Sequence, residues 1–250
     1  MELPCGNIKP SPAGLARSVR LVQMFRREQD DPARYYAFLA ADTVQQLSEY
    51  TELGGRVVLD VGGGPGWFTT EFRARGARGC LIEPDAAELR GQGPAPSGAV
   101  RGDGCRLPVR DQAADIVFSS NVLEHVPHPM RMIDEMIRVT RPGGVVYLSF
   151  TNWYSPWGGH ELSPWHYLGA GFAERRYHRR YGRKPRHLVG ESLYRLHIGP
   201  VLRAVRARAD VEILDARPRY YPRWCRPLVR VPGVREIATW NLLLILRRTR

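Results

Sequence analysis

The residues whose types and spacing are suited to chemistry are acids and glycines standing where apolar runs end. Val57-Val58-Leu59-Asp60-Val61 closes one such run on Asp60 and passes directly into Gly62-Gly63-Gly64-Pro65-Gly66. This pattern reads as a buried parallel strand, after which Gly62, Gly64 and Gly66 let the backbone turn sharply into a helix beginning near Trp67. The first amides of that helix have no intrahelical partner and can hold a carboxylate or ribose oxygen, while Asp60 at the strand tip can accept a hydrogen bond from a ligand ammonium. Leu81-Ile82-Glu83 repeats the arrangement, since two ribose hydroxyls can share one carboxylate. Gly102-Asp103-Gly104 follows a third short apolar segment, and Ala114-Asp115-Ile116-Val117-Phe118-Ser119-Ser120-Asn121 makes a fourth strand. A turn at Arg141-Pro142-Gly143-Gly144 then leads into a fifth, Val145–Phe150.

In this order the pieces resemble the class I S-adenosylmethionine-dependent methyltransferases, particularly the small-molecule branch with Leu-Glu-His after the fourth strand, here Leu123-Glu124-His125. The resemblance covers residues 30–150 well and the C-terminal strand pair loosely. It implies an α/β, doubly wound, Rossmann-like sheet of seven mostly parallel strands in the order 3-2-1-4-5-7-6, with the last strand antiparallel, N-terminal helices and an acceptor lid after strand five. It also implies S-adenosyl-L-methionine as cofactor, contacted by Asp60, Gly62, Gly64, Gly66, Glu83, Asp103 and Asn121, with Asp103 meeting the adenine amino group. The expected organisation is one methyltransferase domain over 1–250: a helical cap (1–50), the cofactor-binding core (51–150), the lid and a helix (151–210), and a strand pair with a long insertion (211–250).

Helical patterning supplies the elements that hold these strands. Residues 1–15 are rich in proline and glycine and read as an extended lead-in, with helical spacing from Leu15 through Phe25. A second helix starts at Asp31-Pro32, with the aspartate as N-cap and proline at the first helical position. In the resembled family this helix lies over the cofactor, so Tyr35 and Tyr36 line the methionine end or belong to the core. The Gly91–Gly98 loop leaves room for only a short helix after Glu83. Cys105 borders the adenine pocket or packs as a small hydrophobe. Met132, Ile133, Met136, Ile137 and Val139 form a helical stripe that belongs to the core, stopped by Pro142 and Gly143. A further helix is expected over Ser192–Ala209, and strands six and seven over 211–215 and 240–246.

After Phe150 the segment Thr151–Tyr167 is crowded with aromatics, glycine and proline and leaves the ligand-binding edge of an α/β sheet, as an acceptor lid would. A hydroxyl acceptor gains from a base that removes its proton, and the candidates are His166, His160 and His125. His160 and His166 lie six apart with Pro164 between them, which excludes the one-face, i and i+4 zinc helix; no metal is expected. Trp67 stands where a nicotinamide fingerprint needs its third glycine, which disfavours that cofactor.

The formal net charge is +12, and Lys9 and Lys184 are the only lysines, so the excess is arginine. It reflects either biased codon usage or attraction to an anionic partner. Nucleic acid is the disfavoured partner, because Ser119-Ser120-Asn121-Val122 replaces the proline-proline-aromatic signature that stacks a flipped base. A small-molecule or lipid-linked acceptor, with oxygen as the accepting atom, is preferred. A noncatalytic, membrane-associated cofactor-binding protein is the alternative from another class. Residues 222–239 interleave Trp224, Leu228, Val229, Val231, Val234, Ile237 and neighbouring Trp240 with arginines, as in a peripheral anchor on an anionic membrane. With no long apolar run, no signal-peptide core and four scattered cysteines, the expected place is the cytoplasm or the inner face of its membrane. The oligomeric state is not legible.

Overall fold

The computed structural model describes residues 14–26, 30–90 and 97–250. The lead-in before residue 14, Cys5 and most of the Gly91–Gly98 loop lie outside them. In chain order the elements are α1 (Leu15–Phe25), α2 (Pro32–Leu47), β1 (Val57–Val61), α3 (Trp67–Ala74), β2 (Arg78–Ile82), α4 (Ala86–Leu89), β3 (Ala99–Val100), β4 (Ala114–Ser120), α5 (Pro129–Val139), β5 (Thr140–Thr151), α6 (Ala170–Tyr181), α7 (Ile198–Arg206), β6 (Val211–Pro218), α8 (Val234–Ala238) and β7 (Asn241–Arg248). The seven strands form one sheet in the order β3-β2-β1-β4-β5-β7-β6, with β7 antiparallel to both of its neighbours. The order and the reversed last strand are those expected.

Alternation along the strands divides the core into two layers. On one face Val58, Ile116, Phe118, Tyr147, Leu243 and Ile245 pack with Phe38, Leu39, Val44 and Leu47 of α2 and with Phe68 and Phe72 of α3. On the other face Leu59, Val61, Val117, Val146, Leu148, Leu244 and Leu246 meet the methionine and isoleucine stripe of α5 and the Val201, Leu202 and Val205 stripe of α7. A strand with apolar side chains on both sides can only be buried on both, which is why β4, β5 and β7 sit in the middle of the sheet. Asp31 caps α2 as its position predicts, accepting a hydrogen bond from the Arg34 amide at 3.1 Å.

Two boundaries differ from the sequence reading. The Arg141–Gly144 turn lies inside β5 as an irregularity: Thr140 pairs with Ala114, and Val145 resumes opposite Ile116. Gly143, at φ 75°, takes the left-handed conformation that lets three extra residues be absorbed there. The helix expected over Ser192–Ala209 begins only at Ile198, because its first amides are capped from a distant element. The Glu236 carboxylate accepts from Ile198 N at 2.9 Å and from Gly199 N at 2.7 Å. Ser192 belongs to a turn and residues 194–197 to no regular element, with Tyr194 N donating to the Glu124 carbonyl.

Phe118 is wholly buried at the centre of the first layer, stacked on Tyr147 at 4.7 Å between ring centroids and edged by Phe72 at 5.1 Å. Phe118→Ala is expected to cost about 3–5 kcal/mol, from lost apolar transfer and the cavity left behind. Denaturant unfolding of the variant checks it; a loss under about 1 kcal/mol would mean that the aromatic stack is not a structural centre.

Candidate active site

The candidate cofactor residues stand at the carboxyl ends of β1, β2, β3 and β4. Gly62 N donates to the Ile82 carbonyl at 2.7 Å, which swings the chain out of β1 toward β2. Gly62, Gly64 and Gly66 all have positive φ, and Gly66 is the left-handed cap of α3. The glycines do different work. A Cβ on Gly62 would lie 2.5 Å from a Val122 methyl, and one on Gly63 would lie 2.4 Å from the Asp60 carboxylate. Around Gly64 nothing stands within 4 Å, so that part of the turn faces open space.

The two buried acids flank this turn. Asp60 accepts from Thr69 Oγ1 at 2.7 Å, and burial pushes its carboxyl up to about 7 against the opposing effect of the Thr69 hydrogen bonds. Glu83 accepts from Gly64 N at 3.0 Å through one oxygen and from Asp85 N at 3.1 Å through the other. Burial raises its carboxyl above the usual range while those two amides pull it back. Glu83 thereby ties the glycine turn to the end of β2 and still has a lone pair on each oxygen. Asp103 is exposed and accepts from Cys105 N at 2.8 Å, which orders the turn after β3. Cys105 itself is buried in the α5 layer.

Asn121 points elsewhere. Its backbone is at φ 58°, and its Oδ1 accepts from Asn241 Nδ2 at 2.7 Å and from Arg219 at 3.4 Å. Arg219 is 1% exposed and donates to Ser120 Oγ at 2.7 Å, Ser149 Oγ at 2.9 Å and Thr43 Oγ1 at 2.9 Å. Asn121 therefore contributes to a buried polar cluster beneath the ends of β4 and β5.

The three candidate histidines separate into two environments. His166 is buried, its Nε2 lies 3.1 Å from the Trp153 carbonyl oxygen and its ring packs on Gly159, so it holds the lid segment together. His125, in the short helical turn Leu123–His125 after β4, meets His160, in the turn His160–Leu162, with ring centroids 4.8 Å apart. His187, after α6, completes the group at 4.7 Å from His125 and 5.0 Å from His160. Burial, then His125 and His187, drives the His160 imidazole down to about 3. Arg186, beside His187, reaches Glu88 on α4 and links this segment to the end of β2.

Comparison with known proteins decides the family. A family described as a methyltransferase domain matches residues 59–148. An uncharacterized methyltransferase of Mycolicibacterium gilvum is 45% identical over 95% of this chain and 96% of its own, and one of Mycobacterium marinum is 45% identical over 94% and 95%. The chain belongs to this methyltransferase family. A solved S-adenosylmethionine-dependent methyltransferase of Mesorhizobium loti shares the fold at 20% identity, with a TM-score of 0.54 over 84% of this chain and 98% of its own.

Elsewhere in the methyltransferase fold, rings from α1, α2, the lid and the segment before β7 meet. Phe25 of α1 contacts Trp157 of the lid at 5.2 Å, Trp157 contacts Trp240 at 4.6 Å, and Tyr221 contacts Trp240 at 5.5 Å. Tyr35 joins Phe25 at 6.0 Å and Tyr36 at 5.0 Å. Three residues of the site escaped the sequence reading. Thr69 is recoverable from its place on the inward side of the first turn of α3; His187 was submerged in a basic run, and nothing local marks Arg219.

Gly62→Ala is expected to destabilise the fold by about 1–3 kcal/mol, because a Cβ is disfavoured at positive φ and overlaps Val122. Thermal unfolding measures this. Wild-type stability in the variant would show that the turn relaxes freely and that the glycine is not needed for the approach of Val122.

Proposed function

We propose that this chain transfers a methyl group from S-adenosyl-L-methionine to a small-molecule or lipid-linked acceptor, with an oxygen as the accepting atom. The observation that carries the reading is the pair of buried acids around an open glycine turn: Asp60 and Glu83 stand at successive strand ends, and a Cβ at Gly64 would enter open space. The residues present fit the cofactor. Glu83 would receive the ribose hydroxyls, Asp60 the ammonium, Asp103 the adenine amino group, and the amides at the start of α3 the carboxylate. The cofactor, when bound, supplies a methyl group on an electrophilic sulfonium. The protein's own contribution is then chiefly to hold the acceptor in line with that methyl, for which orientation can supply most of the catalysis.

The aromatic contacts among Phe25, Tyr35, Trp157, Trp240 and Tyr221 support an acceptor with an apolar or planar body. Of the histidines expected as general base, His166 is engaged with Trp153, and His160 is held neutral so strongly that it is a weak acceptor for a hydroxyl proton. Positioning is thus the better-supported role for the lid. Turnover of labelled cofactor against metabolite and lipid extracts tests the activity, and methyl incorporation into neither extract would argue against it.

Cofactor binding has a pH signature. The Asp60 carboxyl, raised to about 7, is mostly protonated below that pH, whereas an ammonium against it favours the carboxylate. Binding near pH 6 is therefore expected to release a proton, and affinity to rise as pH climbs through about 7. Calorimetry in buffers of different ionisation heat detects the release, which Asp60→Asn should abolish. Glu83→Ala is expected to weaken binding by about 1–3 kcal/mol. Unchanged affinity in a folded Glu83→Ala protein would remove Glu83 from the site.

A second surface supports peripheral membrane contact. Trp224 and Ile237 are 74% and 69% exposed, and Val231 and Val234 are exposed beside them. Several arginines of this segment are already paired with acids: Arg226 with Asp215, Arg223 with Glu49 and Arg235 with Glu236. The apolar tip would thus carry most of the binding. Sedimentation with vesicles should show more bound protein on anionic than on neutral lipid, with Trp224→Ala and Ile237→Ala together reducing both. Equal sedimentation with and without vesicles at low salt would eliminate this contact.

A further inference from the structure

We infer that His125, His160 and His187 form a binding site for one divalent transition-metal ion of the zinc class. The three imidazoles come from the turn after β4, the lid and the segment after α6, and one ring nitrogen from each falls within 4.8 Å of the other two. Metal–nitrogen bonds of 2.0–2.1 Å in a tetrahedral site place such nitrogens about 3.3 Å apart. Side-chain rotation that draws the rings in by about 1.5 Å is enough, and no backbone rearrangement is required.

The surroundings select lone pairs rather than N–H donors. The Ser192 carbonyl oxygen lies 2.7 Å from His125 Nδ1 and can only accept, so the proton is fixed on Nδ1 and the Nε2 lone pair is left for the cluster. A backbone carbonyl behind an imidazole is the support that orients a metal-binding histidine and strengthens its donor nitrogen. His160 Nε2 is buried with no hydrogen-bond partner, an expense for a polar atom that an ion would remove. His160 also sits at φ 49°, a strained conformation for a residue with a side chain, which aims its ring at the other two. Glu161 and Arg186 are the charged neighbours of His187.

Three neutral nitrogen ligands suit zinc, and they leave one position of a tetrahedral site for an oxygen ligand, water or an acceptor hydroxyl. An ion here would also fasten the lid and the post-α6 segment to the end of β4. The site is independent of which cofactor the crevice takes.

The test uses the full chain, stripped with chelator and dialysed. Cobalt(II) titration followed by visible absorbance, then displacement by zinc, is expected to show one ion per chain in tetrahedral nitrogen–oxygen coordination. His160→Ala and His187→Ala should each weaken zinc binding by about 100-fold or more, while His178→Ala, on the exposed face of α6, leaves it unchanged. Circular dichroism confirms folding, and His125→Gln provides a third variant if either alanine protein is unfolded. No ion bound by the folded wild type, or equal binding by the triad variants and His178→Ala, overturns the inference. S-adenosylmethionine affinity measured on the same samples separates the two readings: cofactor binding without metal leaves the methyltransferase reading intact, and metal without cofactor leaves this one.

Discussion

The guanidinium of Arg219 is the constraint around which the carboxyl ends of β4 and β5 are tied to α2. It is buried with no carboxylate of the described residues within ion-pair reach, and is satisfied by three hydroxyls, Thr43 from α2, Ser120 from β4 and Ser149 from β5. Tyr220 and Tyr147 add the faces of their rings at 5.2 and 5.8 Å from its central carbon. A buried charge costs several kcal/mol unless its donors are met, so the elements supplying these acceptors cannot drift apart independently. Asn121 and Asn241 extend the same cluster to β7. Hydrogen-bonding hydroxyls thus tie α2 to the ends of β4 and β5, in addition to the ladder and the apolar layers.

The glycine turn after β1 depends on a different balance. Asp60 and Glu83 are both buried, both raised in pKa by that burial, and both held by short donors, Thr69 in one case and the Gly64 and Asp85 amides in the other. Those donors fix the orientation of both carboxyl groups against the glycine turn. The same geometry explains why side chains are forbidden at Gly62 and Gly63, where a Cβ would strike Val122 and Asp60, and why Gly64 can face outward.

The lid is joined to the sheet through polar and aromatic contacts at several points. His166 ties the segment back to its own start at Trp153, while Trp157 reaches Phe25 and Trp240, and His160 meets His125 and His187 outside it. The basic run Arg175–His187 that follows the lid divides among several roles. Most of α6 is exposed, Arg176 lies over the Trp165 ring at 4.0 Å, and Arg186 crosses to Glu88. Its last member, His187, joins the imidazole cluster.

The sequence by itself determined the order of elements, the burial of β4 and β5, the Asp31 cap and the glycine turn between Asp60 and Glu83, because each depends on local periodicity or on backbone freedom within a few residues. It also placed His125 after β4. Only the tertiary structure decided the start of α7, the insertion of Arg141–Gly144 into β5, the turning of Asn121 toward Arg219 and the division of the histidines. Each of these rests on partners far apart in the chain: Glu236 lies 38 residues from Ile198, Arg219 lies 98 from Asn121, and His187 belongs to a different element from His125. Such pairs leave no periodic trace. His166, His160 and His125 are all candidates in the sequence, but the fold places a backbone carbonyl against His166 Nε2 and brings His160 to the other imidazoles, because only chain folding determines which buried polar atom finds a partner.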